Sequence, residues 1–113
     1  MPRSLQLYLA DILDAITQIS DYVGEAEFSE FSQDRKTQDA VIRNLEIIGE
    51  AVKNLPDITK QDYPYEWRAI AGLRDVLIHQ YSGVSIPLIW DIVTTELPGL
   101  KTHIEKILKA IQG

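Results

Sequence analysis

Few side chains in this sequence can move a proton or hold a phosphate. The chain has two histidines and no cysteine among its 113 residues. Arg74 and His79 stand close together, with Asp75 beside the arginine and Tyr81 two positions beyond the histidine. A histidine that titrates near about pH 6.5 suits proton transfer at cellular pH. An arginine is a permanently charged fork that matches phosphate oxygens. Other catalytic signatures are missing: the six glycines are scattered, so there is no phosphate loop, and no serine sits in a nucleophile elbow. The two histidines, His79 and His103, have no metal-ligand spacing. Chemistry with so few parts must draw its nucleophile from the substrate. RNA cleavage meets that requirement: the 2′-hydroxyl attacks the adjacent phosphate, and the protein adds proton transfer and a cation.

The helix that carries these residues opens near Glu66 and runs through Trp67, Ile70, Leu73 and Leu77 to a stop at Ser82-Gly83. With Trp67 at zero, Leu73, Ile70 and Tyr81 fall between about 240° and 320°, and Arg74 falls at about 340°, inside the apolar arc. Three explanations of that placement stand open. The stem covers apolar surface while the head reaches water; or the guanidinium pairs with Glu46 or Glu50; or it faces a cleft that binds an anion. His79 lies about 140° round from Arg74 on a regular helix, so spacing alone does not bring the two together. Either the helix loosens near Gly83, or the site is assembled from two chains across a symmetry axis, one histidine acting as base and the other as acid. On a regular helix His79 also sits beside Asp75, four residues earlier, where a surface pair would account for it. His103 reads as an edge-of-core or exposed histidine.

Four further apolar stripes complete an all-α bundle of about five helices. Leu5, Tyr8, Ile12, Ile16, Ile19 and Val23 mark the first, which stops near Gly24; residues 25–36 read as a loop with Phe28 and Phe31 as anchors. Val41, Leu45, Ile48, Val52 and Leu55 mark the second, capped by Asp34 or Thr37 and closed by Pro56, with a proline-bearing loop over 56–64. Pro87 opens a short fourth helix through Trp90 and Val93, Leu97-Pro98-Gly99 breaks the chain, and Leu100, Ile104, Ile107 and Ile111 form the fifth. Nothing alternates at period two for long enough to make a sheet.

The formal charge of −6 is confined to one stretch. Asp11, Asp14, Asp21, Glu25, Glu27, Glu30 and Asp34 lie in a segment with no Lys or Arg, and acids balance bases over 35–75 and again over 76–113. The acidic segment reads either as a solvated face or as a docking surface for a basic partner, and the neutral remainder leaves room for a local cationic site. Length and composition fit one domain over 1–113. No apolar run approaches the ~18 to 20 residues that cross a bilayer, and Asp11 and Asp14 interrupt any secretory signal, so a cytoplasmic protein is expected.

Arg74-Asp75-Val76-Leu77-Ile78-His79-Gln80-Tyr81 reads R-x4-H-x-Y and resembles the signature of HepT toxins in the HEPN superfamily. The flanks resemble the family too. They are Ile42-Arg43-Asn44-Leu45-Glu46-Ile47-Ile48-Gly49-Glu50-Ala51, Trp67-Arg68-Ala69-Ile70-Ala71-Gly72-Leu73, and Trp90-Asp91-Ile92-Val93 with Leu97-Pro98. The resemblance implies an antiparallel helical bundle of the HEPN type and a metal-independent endoribonuclease, without cofactor, that is the toxin of a toxin–antitoxin pair. It implies a homodimer with the motifs facing a shared cleft, and leaves higher heteromeric assembly open. Arg74 would hold the scissile phosphate, His79 would do the acid and base work, and Asp75 would be the supporting polar residue. Tyr81 would be the tyrosine adenylylated by an MntA-type nucleotidyltransferase antitoxin, which places a bulky anion beside the cleft. If the acidic segment is a docking surface and not a solvated face, that antitoxin would be its partner. A contrasting reading is a non-catalytic helical module that scaffolds a nucleotidyltransferase. A third is an acidic helical dimer in which Arg74 and His79 are structural.

Overall fold

The computed structural model describes residues 4–79 and 85–112, and from Arg74 to His79 its backbone alone. The described residues form helices joined by short turns, without a strand: α1 (Leu5–Val23), α2 (Phe28–Phe31), α3 (Arg35–Lys53), α4 (Asp57–Asp62), α5 (Trp67–His79), α6 (Ile86–Asp91), a π-helical turn (Ile92–Glu96) and α7 (Leu97–Gln112). The all-α expectation holds, and the five stripes are all present as helices.

Two of the long helices, α1 and α3, begin where a side chain takes up an orphan amide. The Ser4 hydroxyl accepts from the Leu7 amide at the start of α1. Asp34 does the same for α3: one carboxylate oxygen accepts from the Thr37 amide at 3.1 Å and the other from the Thr37 hydroxyl at 2.6 Å. These two bonds, the hydroxyl's first, hold the Asp34 carboxyl below its ordinary value. The Glu30 carboxylate likewise accepts from the Glu27 amide around α2. The carboxylates of two of the seven acids in the charged segment, Glu30 and Asp34, are therefore engaged at helix starts. At the end of α1, Gly24 takes φ 55°, a left-handed turn that glycine enters without steric cost.

α3 is the central element, packed along α1 on one side and α5 on the other. Its buried stripe of Val41, Leu45, Ile48 and Val52 meets Leu9, Ile12, Ile16 and Ile19 of α1. Leu100, Ile104 and Ile107 of α7 bury their stripe in the same core. Truncating such fully enclosed side chains costs about 2–5 kcal/mol each.

Two segments expected to be loops contain short helices. Phe28–Phe31 forms α2 because Phe31 is driven into the core, where it meets Trp90 with ring centroids 5.1 Å apart, while Phe28 stays partly exposed against the same indole. Buried Gln38 of α3 ties this turn down by donating to the Phe31 carbonyl at 2.8 Å. Asp57–Asp62 forms α4, with Pro56 as a preorganised N-cap.

The expected break at Leu97-Pro98-Gly99 does not occur. α6, the π-turn and α7 follow one another without interruption from Ile86 to Gln112. Pro98 lies inside this run, where its ring crowds the preceding turn and it has no amide to give. The Leu97 amide reaches back to the Ile92 carbonyl, a wide i→i−5 bond that relieves crowding between the proline ring and the turn before it.

Candidate active site

The backbone places Arg74, Asp75 and His79 on a single element, α5. The start of that helix is fixed by an aromatic clamp. The Trp67 indole is buried and donates to the Tyr63 carbonyl at 3.0 Å. The His103 imidazole of α7 lies with Nε2 3.3 Å from the same oxygen and stacks on Tyr65 at 4.6 Å between centroids, 22° from parallel. Trp67 closes the group at 5.4 Å from Tyr65 and 5.5 Å from His103. A carbonyl oxygen has two lone pairs, so one backbone atom serves both rings. His103 is thus half-buried at the core edge, as expected from the sequence, and its role is to seat α5 against α7. Beyond the clamp, Ile70, Ala71 and Leu73 pack against the core.

α5 remains α-helical through His79, so no loosening of the helix intervenes between Arg74 and His79. Their side chains, and that of Asp75, lie outside the described residues, as does the whole of Tyr81. Of the acids weighed as partners for Arg74, Glu46 is half-buried and Glu50 exposed, both on α3, the helix packed along α5.

A pocket that the sequence did not reveal opens between α5 and the helical run that ends the chain. Its walls are Ile70, Leu73, Ile92, Leu97 and Leu100, with Tyr65 at one end. Glu66, Ala69 and Glu96 complete the lining. Burial, and then the nearby carboxylates of Glu96 and Glu66, push the Tyr65 phenol above its ordinary value. Glu66, Ile70 and Leu73 follow helical spacing in the sequence, but no local pattern ties them to residues some thirty positions away.

The model of the family described as ribonuclease HepT-like matches residues 12–107. The chain belongs to this family. A candidate RNase of Methanocaldococcus jannaschii is 47% identical over all of this chain and 95% of its own length. A protein of Thermococcus cleftensis, named as the probable ribonuclease HepT, is also 47% identical, over 96% of this chain and all of its own. A candidate RNase of Caldanaerobacter subterraneus is 40% identical over 90% of this chain and 92% of its own. No solved structure matches. Membership of the HepT-like family makes the chain an endoribonuclease by class, as the R-x4-H-x-Y pattern implied. Among the described residues no helix is long and apolar enough to cross a membrane.

Proposed function

We propose that this HepT-like ribonuclease is the toxin of a toxin–antitoxin pair and cleaves RNA without a metal ion, as a single-domain homodimer in the cytoplasm. The observation that carries the reading is the complete R-x4-H-x-Y pattern in the sequence of a ribonuclease-family chain, with Arg74 through His79 on one continuous helix. In the proposed reaction, His79 of one chain takes the proton of the 2′-hydroxyl, which attacks the adjacent phosphorus. The second His79 protonates the departing 5′-oxygen, leaving a 2′,3′-cyclic phosphate and a 5′-hydroxyl end. Arg74 holds the phosphate oxygens as their charge grows, and Asp75 supports the pair. Five positions on an uninterrupted helix separate Arg74 and His79 by about 140°, which supports a cleft shared between two chains. Adenylylation of Tyr81 by an MntA-type nucleotidyltransferase silences the enzyme by setting a phosphate where the RNA backbone must pass.

The test is cleavage of total cellular RNA in excess EDTA by unmodified protein, beside His79→Ala at equal concentration. Cutting is expected from the wild type and a loss of about 10²-fold or more from the variant, the range of a general acid–base group. If neither cuts, and intact mass shows no added AMP, the catalytic reading fails and a non-catalytic scaffold for the nucleotidyltransferase becomes the better account.

A further inference from the structure

The pocket between α5 and α7 is not explained by RNA cleavage. Its volume of about 180 Å³ is below the roughly 300 Å³ at which small-molecule pockets begin, and matches a single inserted side chain. Its walls are aliphatic, while the exposed carboxylates of Glu66 and Glu96 stand at its edge, neither one in an ion pair with another described residue. That combination selects the occupant. An RNA backbone would bring phosphates toward two carboxylates, and the pocket's aromatic ring, Tyr65, already has one face covered by His103. An uncharged apolar side chain would fill the space but leave both carboxylates unused. A lysine or arginine satisfies both parts, its methylene stem lying along Ile70, Leu73 and Leu100 and its head reaching the carboxylates.

We infer that this groove receives a lysine or arginine side chain, flanked by apolar residues, from a partner protein. The site is distinct from the R-x4-H positions: its α5 residues centre about 130° round the helix from the register of His79 and about 90° from that of Arg74. It is also coupled to them, because Leu73 belongs both to the groove wall and to the turn that precedes Arg74. An occupied groove stiffens that turn.

The probe is a capped pentapeptide, Ala-Leu-Arg-Leu-Ala, titrated into the full chain while the methyl signals of Ile70, Leu73, Ile92 and Leu100 are followed by NMR. Controls are the same peptide with citrulline, a neutral isostere of arginine, and a five-nucleotide RNA. Saturable shifts are expected with the arginine peptide, and binding at least about tenfold weaker with citrulline, the scale of one charge-assisted hydrogen bond. The double variant Glu66→Gln, Glu96→Gln should bind both peptides at the citrulline level. Ala69→Trp, a substitution at an exposed position that fills the groove, should bind neither. Equal binding of the two peptides, insensitivity to the double variant, stronger displacement of these signals by RNA, or no saturable shift in the wild type would each overturn the inference.

Discussion

Tyr81 and Asp34 show how differently one side chain can matter. Under the proposed regulation the Tyr81 hydroxyl is an acceptor for AMP and takes no part in cleavage. Tyr81→Phe should therefore cut RNA near the wild-type level and stay active after incubation with the nucleotidyltransferase and ATP, with no gain of an AMP in intact mass. Asp34 acts on stability alone. Its carboxyl is held below the ordinary value of 3.8 by the Thr37 hydroxyl and amide, so its ionised form is favoured in the folded state. A depressed folded value means stabilisation that is complete above the ordinary value and disappears as pH falls through the folded one. Thermal melts of the wild type and Asp34→Ala should differ most near neutrality, with the wild type more stable, and converge in strong acid.

Among the elements, α2 rests on little and α3 on much. Gln38 is buried, but the Phe31 carbonyl that it serves also accepts from the Asp34 amide, so Gln38→Ala leaves no orphaned oxygen. Its cost in urea unfolding should be that of one exchanged hydrogen bond, about 0.5–1.5 kcal/mol. Ile48→Ala, in the centre of α3, should cost about 2–5 kcal/mol because a cavity is left behind. The long helices were legible in the sequence because their apolar residues recur at helical spacing over several turns. α2 and α4 were not, because four and six residues are too short for a period to repeat. Pro98 misled for a different reason: proline stops a regular α-helix, and the π-turn that accommodates it leaves no mark in composition. The site divides in the same way. R-x4-H-x-Y is contiguous and could be read directly, whereas the α5–α7 groove joins Glu66 to Glu96 through tertiary packing.

At the scale of the assembled enzyme, the proposed shared cleft needs a functional His79 from each chain. Independent sites would lose activity in proportion to the fraction of His79→Ala subunits mixed in. A cleft that requires both histidines instead follows the fraction of wild-type dimers, about one quarter at equal mixing. RNA cleavage by such a mixture, after subunits have exchanged through a denaturation and refolding cycle, should thus fall to about a quarter of the undiluted activity instead of half. The same cycle with Tyr81→Phe subunits should show no excess loss, since that side chain is not required for cutting.

The π-turn also works as a phase correction. In one unbroken α-helix from Ile86 to Gln112, the buried stripe of Ile89 and Ile92 and that of Leu97, Leu100, Ile104 and Ile107 would point about 70° apart. The wide turn at Ile92–Glu96 carries one extra residue and sets everything after it back by roughly a quarter turn, which brings the two stripes to within about 20°. A single rod can then hold Trp90 against Phe31 at one end and bury Ile107 at the other. Deleting Thr94 should restore the plain helix and force a choice between those two contacts, so the loss would appear at whichever end of the rod is held less firmly.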